Sequence, residues 1–130
     1  MIEKGRIILL NGTSSSGKTT LARALHAALD PPFHYYASDQ LADAGFRPMD
    51  EEVRFAWREA FFDGFHRSIP SFASVGLNLI VEHIVEKASW AQQLATLLKD
   101  FDVFWVGFTH LYPNCYDVRK HGVIVTKGKR

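Results

Sequence analysis

The sequence predicts an α/β fold of three layers, with a mostly parallel sheet between two layers of helices. Two observations carry that expectation. Short runs that are apolar throughout alternate with segments whose apolar residues recur at helical spacing, the pattern of a parallel sheet covered on both faces. The first apolar run, Ile7-Ile8-Leu9-Leu10, leads into a glycine-bounded loop, Gly12 to Thr19, and a helical pattern follows at once.

Ile7 to Leu10 reads as a buried strand, and Leu21, Ala24, Leu25, Ala28 and Leu29 as a helix that Asp30-Pro31-Pro32 stops. The loop between them fits the phosphate-binding pattern G-x-x-x-x-G-K-[ST] in full. Its two glycines let backbone N–H groups turn inward around an anion, and the new helix points its positive end there. Lys18 would reach the β- and γ-phosphates of a nucleoside triphosphate, and the Thr19 hydroxyl would ligate Mg²⁺. The expected nucleotide-binding residues are Gly12, Thr13, Ser14, Ser15, Ser16, Gly17, Lys18, Thr19 and Thr20. The implied cofactors are ATP and Mg²⁺, and the fold is of the P-loop NTPase type.

Phe33 to Ala37 is expected as the second strand, ending at Ser38-Asp39, with a short helix or turn over Gln40 to Phe46. Asp50 is a good helix N-cap, and Glu51 and Glu52 suit a first turn. Val53, Trp57, Ala60, Phe61 and Phe65 then form one apolar stripe. That helix either runs on, kinked, through Pro70 towards Val75 or is divided at Pro70. Leu77 to Val81 is the third strand, ending at Glu82-His83, and Trp90, Leu94, Leu97 and Leu98 mark a further helix. Asp102 to Phe108 is the fourth strand. Ligands in such sheets sit at the carboxyl ends of the strands, where the loop, Asp39 and Glu82 converge. After Phe108 the pattern weakens, apart from a possible last strand over Gly122 to Thr126.

Composition narrows the function classes. A chain of 130 residues, 47% of them hydrophobic, makes one domain with a real core. The net charge of +1 gives no sequence-wide attraction to nucleic acid or an anionic membrane, so neither is expected as a partner. No stretch is apolar enough to span a bilayer. Cys115 is the only cysteine, which excludes an intramolecular disulfide and fits a reducing cytoplasm.

Read in order, these pieces resemble the chloramphenicol phosphotransferase-like family of P-loop kinases. The matching stretches are Ile8 to Thr19, Tyr36 to Leu41, Gly64 to His66, Leu79 to Ile84 and Asp102 to Gly107. The resemblance implies the sheet order usual for P-loop kinases and a small hydroxyl-bearing acceptor. It makes Asp39 the acid that accepts the acceptor's proton, with Lys18 as its catalytic companion. It makes Glu82 a strand-end acid, where the family usually has Asp, which holds Mg²⁺ or its waters alongside Thr19, or positions substrate. His66 and His83 are expected to pack or hydrogen-bond rather than catalyse. Arg47, Arg54 and Arg58 are expected to be solvated, with the edge of the acceptor site as the alternative.

The resemblance stops after Phe108. Members continue into a basic lid with an arginine run, and nothing from Thr109 to Arg130 matches it. Residues 1–108 are therefore expected to be the nucleotide-binding core, and 109–130 an atypical tail in which the fold looks truncated or altered. Arg119 and Lys120 would replace the lid's charge only in part. The expected activity is ATP-dependent phosphoryl transfer to a small-molecule hydroxyl. The alternative is a nucleotide-binding module with little or no turnover. A GTPase switch is disfavoured, since no Asn-Lys-x-Asp segment occurs. Acceptor identity, ATP against GTP and oligomeric state are not legible.

Overall fold

The computed structural model describes residues 3–12, 17–107, 116–118 and 123–127, the last two segments as backbone only. Its centre is β1 (Ile7–Asn11), flanked by β3 (Leu79–His83) and β4 (Val103–Gly107), with β2 (His34–Ala37) outside β3. These four strands are parallel. Two more, β5 (Tyr116–Val118) and β6 (Val123–Lys127), complete the order β2-β3-β1-β4-β6-β5. β6 runs antiparallel to β4, with Trp105 opposite Thr126, and β5 runs antiparallel to β6. The last strand expected from the sequence thus pairs on the β4 side, and β5 was not expected.

Side chains alternate across the sheet and divide the core in two. Ile7, Leu9, Leu79, Val81, Val103 and Trp105 face one helical layer. That layer is α4 (Arg58–Ser74) and α5 (Ala88–Leu97), which bury Phe65, Ile69, Trp90 and Leu94. Leu10, Ile80 and Val106 face α1 (Lys18–Ala28), through Ala22 with Leu21 and Leu25 packed alongside. This is the expected three-layer arrangement, and all five positions of β3 are buried.

The region between β2 and α4 departs from expectation in one respect. Asp50 caps α3 (Glu51–Ala56) by accepting the Val53 N–H at 3.0 Å, as its sequence position suggests. The helix then breaks at Trp57, not at Pro70, and Pro70 lies inside α4. A proline removes the N–H that would reach the carbonyl four residues back, here that of His66. Hydroxyls stabilise the flanking turns: Ser68 donates to the Phe65 carbonyl at 2.6 Å and Ser71 to that of Arg67 at 3.2 Å. The expected apolar stripe is divided by the break. Phe65 is buried, whereas Trp57 is 64% exposed and Val53 is 41% exposed. Among the described residues, no helix is long and apolar enough to cross a membrane.

Candidate active site

The parallel register sets the site. Leu10 of β1 lies opposite Glu82 and Asn11 opposite His83, so the loop leaves the sheet beside the carboxyl end of β3. The Gly12 N–H donates to the His83 carbonyl at 3.2 Å, and the Asn11 side-chain oxygen accepts the Val85 N–H at 2.7 Å. The two strand ends are therefore tied together where the loop begins. Of the loop, Gly12 and Gly17 to Thr19 are described; Thr13, Ser14, Ser15 and Ser16 lie outside the described residues.

Gly17 caps α1 with φ of 89°, a left-handed conformation that a side chain would strain. It offers no side-chain cap, and the first turn of α1 holds no acidic residue. Among the described residues of the loop and first turn, the positive end of α1 thus has no compensating acid, the condition that favours an anion. Thr20, also in this turn, is exposed.

Lys18 is 4% exposed and donates to the Gly12 carbonyl at 2.8 Å and to that of His83 at 3.5 Å. Burial lowers its pKa, and the charges of Glu82 and Asp39 act against that shift. The two acids thus favour the charged form of the buried ammonium, and the two carbonyls hold it at the strand ends.

Glu82 is 7% exposed, and both its oxygens are occupied. The Thr19 hydroxyl donates to Oε1 and the Tyr35 hydroxyl to Oε2. Sequence reasoning joined Glu82 with Thr19 but missed Tyr35. The available signal was alternation: Tyr35 lies opposite Ile80 in the β2–β3 pairing, on the α1 face that Glu82 shares. Thr19 and Glu82 provide hard oxygen donors at one point. This suits Mg²⁺, which typically takes one or two protein oxygens and completes its shell with phosphates and water.

Asp39 lies in the first turn of α2 (Ser38–Asp43). It is not the cap; the Ala37 N–H is instead bound by the Gln40 side-chain oxygen at 2.9 Å. Asp39 lines the same cavity as Lys18 and Glu82, a space of about 890 Å³. The other walls are aromatic, with Phe46, Phe55, Trp57, Phe61 and Phe62, and Arg47 and Arg54 also reach the lining. Of the expected apolar stripe, Trp57 and Phe61 thus line the cavity.

The structure adds to two expectations about side chains. Arg58 is not merely solvated: it pairs with Glu86 at 2.6 Å, and its guanidinium sits 4.9 Å from the Phe62 ring centroid. His66 and His83 are buried and hydrogen-bonded, as expected, but to each other, Nε2 to Nε2 at 2.8 Å. Desolvation pushes both imidazoles down, His83 to about 3. Arg119 and Lys120 lie outside the described residues.

Comparisons with known proteins bear on the family and the fold. A family model described as "chloramphenicol phosphotransferase-like protein" matches residues 5–117, reaching beyond Phe108. Among solved structures, a cysteine-to-alanine mutant of the Mycobacterium tuberculosis APS kinase CysC aligns with a TM-score of 0.58 at 20% identity, over 78% of this chain and 73% of that one. A chain of a Pnkp1/Rnl/Hen1 complex gives 0.63 at 15% identity, over 90% of this chain and 42% of that one. A chain of the Pnkp1/Rnl/Hen1 RNA repair complex gives 0.61 at 19% identity, over 93% and 39%. At these identities the likeness shows the fold, and this chain spans less than half of either of the two longer ones. No curated protein matches the sequence.

Proposed function

Because the chain belongs to the chloramphenicol phosphotransferase-like family, its function is of the phosphotransferase kind, and we propose that it transfers the γ-phosphoryl group of ATP to a hydroxyl of a small molecule. The observation that carries this reading is the meeting of Lys18, Asp39 and Glu82 in one cavity at the carboxyl ends of the strands. Lys18 and the loop amides bind the β- and γ-phosphates and offset their charge. Mg²⁺, when bound, neutralises charge on the same phosphates; the Thr19 hydroxyl and Glu82 carboxylate are the groups that would hold it, directly or through water.

Asp39 is the general base. As the acceptor oxygen bonds to the γ-phosphorus, its proton passes to the Asp39 carboxylate, and the bond from phosphorus to the β–γ bridging oxygen breaks to release ADP. The exposed position of Asp39 lets it meet an acceptor that enters from the aromatic side of the cavity. Phe55 and Trp57, 81% and 64% exposed, support an acceptor with an apolar body beside its hydroxyl.

Calorimetric titration of MgATP into the wild-type chain and Lys18→Ala tests the binding half of this reading. The wild type should bind and the variant should lose most of its affinity, because no other described cation holds that place. Equal affinities, or no binding by either, would exclude it.

A further inference from the structure

Period-two alternation sends Glu82 and its successor to opposite faces of β3. The His83 side chain enters the α4–α5 layer, where it is 2% exposed. Its ring lies nearly parallel to those of Phe62 and Trp90, with centroids 5.6 Å and 5.9 Å away. In these apolar surroundings a line of polar groups leads outward, and each of its hydrogen bonds can run in only one direction.

The line starts at Asp63. Its carboxylate accepts from Arg67 Nε at 2.9 Å and from Gln93 Nε2 at 2.5 Å. A carboxylate accepts only, so Gln93 must turn its NH₂ towards Asp63 and its carbonyl towards His66. The Gln93 Oε1 lies 2.7 Å from His66 Nδ1, which therefore carries a proton. Neutral His66 then presents a lone pair at Nε2. The His83 Nε2, 2.8 Å away, must donate to it. His83 is left with a bare Nδ1, and that atom is buried without a hydrogen-bond partner among the described residues.

The main chain of His83 faces the loop. Its carbonyl accepts from the Gly12 N–H and from the Lys18 ammonium, at 3.2 Å and 3.5 Å. A residue held on its side chain by two helices thus holds, with its carbonyl, the start of the loop and the lysine. We propose that Asp63, Gln93 and His66 are positioning residues for Lys18, acting through His83: the directed chain fixes the His83 ring in its Nε2–H form and so fixes the carbonyl against which the lysine is set. None of the three lines the cavity. The proposal rests on the reading of Lys18 as the phosphate-binding lysine. Buried polar chains of this kind specify one arrangement when every link is satisfied in sequence.

Gln93 is only half-buried, so it can be altered with little risk to folding. Two measurements decide the matter. Long-range ¹⁵N–¹H NMR of the wild-type imidazoles should show His66 protonated on Nδ1 and His83 on Nε2. The Gln93→Met variant, similar in shape but with no polar atoms, should lose both fixed tautomers. It should also lose about five- to ten-fold in MgATP affinity, the scale seen for network residues that touch no ligand. Wild-type His83 protonated on Nδ1 would overturn the directed chain. Tautomers lost in Gln93→Met with no change in affinity would overturn its action on the lysine. A wild-type chain with the expected tautomers but no nucleotide binding would overturn the reading of Lys18 instead, and the positioning role with it.

Discussion

Acidification is expected to destabilise this protein well above the pH at which carboxylates protonate. The cause is the buried imidazole pair. His83 in the fold titrates at about 3, against an ordinary value of 6.5, chiefly because burial opposes its charged form. The folded state keeps His83 neutral, while the unfolded chain takes up its proton below 6.5. Its contribution to stability is therefore complete above that pH and is lost as the pH falls from 6.5 towards 3. The slope is about 1.4 kcal/mol per pH unit for one group. By about pH 4.5 the loss from His83 alone is about 2.7 kcal/mol, a large part of a typical domain's stability of about 5–15 kcal/mol. His66 is lowered by burial too, with Gln93 and Asp63 acting against the shift, so it adds in the same direction. The carboxylates of Glu59 and Asp63 are held below their ordinary values of 4.5 and 3.8, so their losses begin lower. Urea unfolding followed by tryptophan fluorescence, at several pH values from about 7.5 to about 4.5, isolates the imidazoles. Stability that stays flat across this range would refute the account of the buried pair.

Gly5→Ala should be severely destabilising, by about 2 kcal/mol or more, because the new Cβ would lie 1.9 Å from the Leu77 carbonyl oxygen and the collision is with backbone; an unchanged melting temperature would contradict the packing of the β1 entry. Trp57→Ala should leave stability within about 0.5 kcal/mol and MgATP affinity unchanged, since Trp57 is exposed, but should raise KM for an apolar acceptor. If KM for such an acceptor did not move, the aromatic wall would not be part of the acceptor site.

The parts of the molecule legible in the sequence are those fixed by local chemistry. The glycine and lysine spacing from Gly12 to Thr19 announces a strand, a loop and a helix because few other uses require it, and Gly17 does adopt a positive φ. The both-face apolar runs gave β1, β3 and β4, since a strand buried on two sides must read that way. What escaped depended on where side chains point after the elements assemble. Val53 and Trp57 have the spacing of a core stripe, yet after the break at Trp57 both are exposed, and Trp57 with Phe61 lines the cavity. Tyr35 and Glu82 are far apart in the chain and meet only through the β2–β3 pairing. His66 and His83 each look like an ordinary packed histidine until α4 is laid over the sheet.

The most direct test follows the phosphoryl group itself. The wild-type chain, with MgATP labelled at the γ-phosphate, is offered a panel of small alcohols with apolar bodies. Label should appear in a phosphate ester of at least one of them, and Asp39→Asn, which keeps the shape of the carboxylate but accepts no proton, should abolish transfer while MgATP binding persists. Transfer that continues undiminished in Asp39→Asn would remove the proposed base, and nucleotide binding with no transfer to any acceptor would contradict the phosphotransferase assignment.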